Sequence, residues 1–127
     1  MSRVQRIILT EFCLDQPIIA EAIIYPEGLH ISVYGGELPH IGAINIVDPD
    51  GEVKTIPFDG HKDAVITRKW IGALSHTGIR PIVIEAGIHY DALSYEGIGL
   101  VLKATDRLLE KTLERIDAMA RQGVGEK

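Results

Sequence analysis

The chain has 127 residues, 46% hydrophobic and 24% charged, with a net charge of −5 and a single cysteine. This length fits one domain with a real core, and this composition excludes global disorder. A net-negative chain without a basic run lacks the field that non-specific nucleic-acid or membrane-surface binding needs, and a lone cysteine forms no internal disulfide.

The opening stretch MSRVQRIILTEF mixes Gln, Thr and Glu into its apolar residues. It therefore reads as neither a signal peptide nor a membrane span, and the expected location is the cytoplasm. Val4 to Phe12 is rich in β-branched and aromatic residues and predicts a strand, with Cys13 as a buried small hydrophobe at its end. Asp15-Gln16-Pro17 breaks that strand, Ile18 to Tyr25 forms a second, and Pro26-Glu27-Gly28 is a turn. Leu29, Ile31 and Val33 alternate with His30, Ser32 and Tyr34, the period of a half-exposed third strand that Gly35-Gly36 ends. His40 to Val47 predicts a fourth strand, Asp48-Pro49-Asp50-Gly51 a turn, and Val53 to Phe58 a fifth strand. Such short connections predict antiparallel hairpins.

The second half changes period. Asp63 to His76 has helical spacing through Val65, Ile66, Trp70, Ala73 and Leu74, with Gly78 closing it. In RPIVIEAGIHYD, Ile82, Ile84, Ala86 and Ile88 share one face of a late strand, and Val83, Glu85, Gly87 and His89 share the other. A final helix spans about Tyr95 to Ala120, capped by Ser94, with a stripe of Ile98, Val101, Leu102, Thr105, Leu108, Leu109, Leu113 and Ile116. On its wet face Lys103–Asp106, Arg107–Glu110 and Lys111–Glu114 pair opposite charges three apart. The expectation is one α+β domain over residues 1–122, with 123–127 a frayed tail. Its architecture is an antiparallel sheet of about six strands with two helices on one face, and the uncovered face favours a homodimer.

Three segments break the pattern of periodic core and solvated surface. In Gly35-Gly36-Glu37-Leu38-Pro39-His40-Ile41-Gly42 the paired glycines permit positive φ and leave backbone N–H groups uncovered, as in a bulged hairpin or a ligand loop. Asp59-Gly60-His61-Lys62-Asp63 precedes a helix, whose N-terminus attracts anions; Lys62 adds charge, and Asp63 or Asp59 is placed to cap. In Ala86-Gly87-Ile88-His89-Tyr90-Asp91 the missing side chain of Gly87 leaves room beside His89, and Asp91 is spaced to orient the imidazole. His40, His61 and His89 suit zinc chemically but lack any short ligand spacing, which leaves metal binding open. No P-loop, GxSxG, CxxC or GxGxxG occurs.

The ordered set GGELPHIG, GHKD and AGIHYDALS resembles the prenylated flavin chaperone family, from about Ile18 to the final helix. These are the small D-type components of gallate-type hydroxyarylic acid decarboxylase systems, related to bacterial proteins similar to proteasome assembly chaperones. The resemblance implies a dimeric antiparallel sheet with helices and a non-catalytic role. It implies binding of prenylated FMN, made by a flavin prenyltransferase, and its delivery to or maturation in a decarboxylase. Carried over by motif position, the implied cofactor residues are Gly35, Gly36, Pro39, His40 and Gly42, then His61, Lys62 and Asp63, then Gly87, His89 and Asp91. Two other readings stand beside it: a ligand-free assembly chaperone that binds a protein, and a small metal-dependent enzyme built on the three histidines.

Overall fold

Residues 3–58 and 62–125 are described by a computed structural model, with side chains described to residue 119. Five strands come first: β1 (Gln5–Cys13), β2 (Gln16–Tyr25), β3 (Gly28–Gly36), β4 (Ala43–Val47) and β5 (Val53–Pro57). Then follow α1 (Lys62–Leu74) with a 3₁₀ turn (Ser75–Thr77), β6 (Ile82–His89) and α2 (Tyr95–Gly125). Gly78 closes the 3₁₀ turn in the left-handed conformation, φ 76°, and the Ser94 hydroxyl accepts from the Gly97 N–H at 3.0 Å to cap α2.

The strands form one six-stranded sheet in the order β1-β2-β3-β6-β4-β5. β1–β2, β2–β3 and β4–β5 pair antiparallel, as short connections require. β3 and β4 do not pair: β6 lies between them, parallel to β3 and antiparallel to β4. The sheet is therefore mixed at one position, where hairpin connections alone predict none. Two boundaries also shift. Residues 37–42 cross over β6 rather than opening β4 at His40. The first turn is Leu14–Asp15, both at positive φ (51° and 64°), the form a tight two-residue hairpin needs. Pro17 lies inside β2 opposite Phe12, at the strand end before β3 flanks it, where a missing N–H breaks no ladder bond on that side.

The alternation puts Ile7, Ile18, Ala20, Ile31, Val33, Ile82, Ile84 and Val47 on one buried face, and both helices cover that face. α1 contributes Ile66, the fully buried Trp70, Ile71 and Leu74, while Val65 faces solvent. α2 buries Val101, Ala104, Leu108, Leu109 and Ile116. Ile98 and Leu102, expected in that stripe, stay 46% and 39% exposed. The opposite sheet face has no helix over it; Ile8 and Phe12 are 64% and 71% exposed there.

Three charges of α2, Asp106, Arg107 and Lys111, reach other elements. Asp106 binds Lys69 of α1 at 2.6 Å, and Glu11 of β1 accepts from Arg107 at 2.7 Å and from Lys111. The hydrogen bond from Arg107, then that from Lys111, holds the Glu11 carboxyl below its ordinary value. A depressed carboxyl stabilises the fold above its unfolded pKa, near 4.5, and that contribution fades as pH falls through the folded value. Glu11→Gln is expected to cost on the order of 1 kcal/mol at neutral pH. Its denaturation midpoint should converge on the parent's in acid; a gap that persists unchanged below pH ~3, beneath ordinary carboxyl pKa values, would assign the cost to packing instead.

Candidate functional site

The GGELPHIG segment is a strap. To pass from the end of β3 to the start of β4 it must cross β6, and it crosses at Gly87. A Cβ built on Gly87 would lie 1.6 Å from the His40 carbonyl oxygen, so the space expected beside His89 is filled by the chain itself. Gly35 and Gly36, at φ 156° and 78°, serve the same close packing. Built Cβ atoms there would lie 2.3 Å from the Pro17 carbonyl and 2.2 Å from the His89 carbonyl. Three N–H groups of the strap are used: Glu37 N donates to His89 O at 2.7 Å, His40 N to Gly87 O at 3.4 Å and Gly42 N to Ala86 O at 2.8 Å. The glycines fit backbone to backbone, which is the bulged-connection reading rather than that of an open cradle.

The strap delivers His40 to α1. Its Nε2 lies 3.2 Å from Asp63 Oδ2 and its Nδ1 lies 3.0 Å from the Leu38 carbonyl. Asp63, 2% exposed, is the second residue of α1, and its Oδ1 accepts from the Ile88 N–H at 3.1 Å. It ties the helix to β6. Asp59, Gly60 and His61 lie outside the described residues. Among the described residues no three His, Cys, Asp or Glu gather as a metal site.

On the far side of Asp63 an open groove of about 500 Å³ lies between the first turns of α1, the end of β6 and the start of α2. That size falls within the roughly 300–1,000 Å³ of small-molecule sites. Its polar groups are Lys62, Asp63 and His89; its walls are apolar, with Val65 and Ile66 facing Ile98, Val101 and Leu102. Lys62 is exposed and makes no ion pair among the described residues. His89 Nε2 donates to Asp91 Oδ1 at 2.9 Å, the arrangement expected from their spacing. That bond, followed by a contact with Glu37, holds the Asp91 carboxyl below its ordinary value. Tyr90 forms part of the floor, and its hydroxyl donates to the Cys13 carbonyl at 2.7 Å. Burial first, then Cys13 and Glu37, pushes the Tyr90 hydroxyl up to about 12, while burial raises the Cys13 thiol and leaves it a protonated core residue.

Of the residues expected at a site, Lys62, Asp63 and His89 line this groove. His40 reaches it through Asp63, and Asp91 through His89. Gly35, Gly36, Pro39, Gly42 and Gly87 do not line it. The apolar walls and Tyr90 were not among the expected site residues. Tyr90 had a signal, standing between His89 and Asp91; the walls had none, because Ile98 and Leu102 fit a core stripe equally well.

Gly87→Ala should lower stability by about 1–3 kcal/mol or more, since the methyl group meets backbone rather than a movable side chain. Thermal melts test this, and an unchanged midpoint would mean that the strap does not seat on β6.

A family model described as the prenylated flavin chaperone LpdD-like domain matches residues 14–117, and the chain belongs to that family. No curated protein matches the sequence. Among solved structures, the fold is similar to a chain in the crystal structure of a novel chaperone complex for yeast 20S proteasome assembly. The TM-score is 0.58 and the identity 15%, over 91% of this chain and 96% of that one.

Proposed function

We propose that this member of the prenylated flavin chaperone family is a non-catalytic cytoplasmic carrier. It takes prenylated FMN from a flavin prenyltransferase, holds it in the groove between α1, α2 and the end of β6, and passes it to a prenylated-flavin-dependent decarboxylase. The observation that supports this most is the polarity of the groove, which has wide apolar walls with one cation and one imidazole at the start of α1 and the end of β6. A phosphorylated flavin has that same order of an anion, a polar edge and a broad flat body. The described lining holds no Ser, Thr or Cys for His89 to activate, and the Tyr90 hydroxyl is bound to a carbonyl, so the lining reads as a holder. Lys62 and the N–H groups of the first turn of α1 take the phosphate. His89, oriented by Asp91, donates or accepts at a polar edge. Gly35, Gly36, Pro39, Gly42 and Gly87 act indirectly, by seating the strap that brings His40 to Asp63. An open groove favours modest affinity, which suits a carrier that must release its cargo.

Titration with FMN and with riboflavin tests the phosphate assignment. The parent should prefer FMN, and Lys62→Glu should abolish that preference, because repulsion replaces attraction where a dianion sits. Equal affinity of the parent for both flavins would remove the phosphate from this end of the groove and favour a chaperone that binds protein alone.

The uncovered sheet face, with Ile8 and Phe12 exposed, is the surface we assign to protein contact, first of all a second copy of this chain in a homodimer. Sedimentation at micromolar concentration should show twice the 14.0 kDa chain mass, and a clean monomer would leave the face to the decarboxylase alone.

A further inference from the structure

The end of β6 is held from outside the groove. His89 is the last residue of the strand, Ala92 turns the chain at φ 49°, and the Asp91 side chain between them is 80% exposed. A side-chain pair that exposed gains little by itself, because holding it costs side-chain entropy. Its geometry depends on the backbone that carries Asp91. The Asp91 N–H lies past the end of the strand, and the Glu37 carboxylate accepts it at 2.8 Å. Glu37 also donates its own N–H to the His89 carbonyl at 2.7 Å. With the His89 Nε2–Asp91 Oδ1 bond at 2.9 Å, these contacts close a ring through residues 37, 89 and 91. Between them the Tyr90 hydroxyl is tied to the Cys13 carbonyl. Glu37 is the one acidic residue of GGELPHIG; it is exposed and stands outside the groove lining.

We infer that Glu37 is a positioning residue: by fixing the backbone of Asp91 it holds the carboxylate that keeps the proton of the neutral His89 ring on Nε2. An ionised carboxylate only accepts hydrogen bonds, so the nitrogen facing it carries the proton and Nδ1 keeps a lone pair. Asp91 is held below its ordinary value and is ionised at neutral pH. His89 then offers the groove an acceptor, and its partner on a bound molecule is an N–H or O–H donor. That last step rests on the groove being the flavin site; the placement of His89 by Glu37 does not.

The test reads the His89 ring by nitrogen-15 NMR at a pH where it is neutral, in the parent and in Glu37→Ala, Glu37→Gln and Asp91→Ala. The parent should show the Nε2–H tautomer alone, and Asp91→Ala a mixture of both. Glu37→Ala should move toward Asp91→Ala, while Glu37→Gln, whose side-chain carbonyl still accepts the Asp91 N–H, should stay with the parent. Glu37→Ala with the parent's tautomer, or Glu37→Gln displaced as far as Glu37→Ala, would overturn the inference. The parent alone supplies a second check: its Asp91 amide should exchange slowly for an exposed segment, and free exchange would overturn the inference without any variant. Titration with FMN separates this from the flavin reading. Both Glu37 variants remove one negative charge, so field alone would tighten FMN in both. Positioning instead predicts several-fold weaker binding in Glu37→Ala only. A parent that does not bind FMN would overturn the flavin reading, and the imidazole spectra would still decide the role of Glu37.

Discussion

A chain that leaves β3 cannot reach β4 without crossing β6, because β6 occupies the slot between them. The crossing is made at contact distance over Gly87, where a side chain of any size would meet the His40 carbonyl. Most of the local geometry follows from that passage. Gly36 turns the chain off β3 at φ 78°. Glu37, His40 and Gly42 then spend their N–H groups on β6 carbonyls, so the strap is held along its length. Held there, it directs His40 to Asp63, and Asp63 fixes the first turn of α1 to the Ile88 N–H. The position of α1 relative to β6, and hence the width of the groove, depends on this chain of contacts.

The parts of the fold that depend on local pattern were legible in the sequence. The period-two alternation of Leu29–Tyr34 and of Ile82–His89 gave the right inward faces, the helical spacing of residues 63–76 gave α1 with its 3₁₀ turn, and Ser94 and Gly78 mark the helix ends as their chemistry predicts. The parts that depend on non-local pairing were not. Nothing in β6 tells it to enter between β3 and β4, since its own alternation is satisfied at any position with one buried face. The glycines stood out at once, with a bulged connection and a ligand loop both open at Gly35-Gly36: a sequence shows that a side chain is missing, not whether a ligand or another stretch of backbone occupies the space. Asp63 stood where a capping residue belongs, and only the arrival of Ile88 and His40 shows it facing inward. Opposite charges three apart on α2 were read as local pairs, yet Asp106, Arg107 and Lys111 each reach another element.

The two faces of the sheet meet at one carboxylate. The strap crosses the face that no helix covers, and the groove opens on the helical side, with Asp63 between them. A carboxylate only 2% exposed is costly to ionise unless it is paired and hydrogen-bonded. Asp63 accepts the Ile88 N–H at Oδ1 and has the His40 imidazole 3.2 Å from Oδ2. Lys62, exposed, is the cation on the groove lining. His40 meets the acid from behind without entering the groove, and Lys62 stands on the groove's own lining.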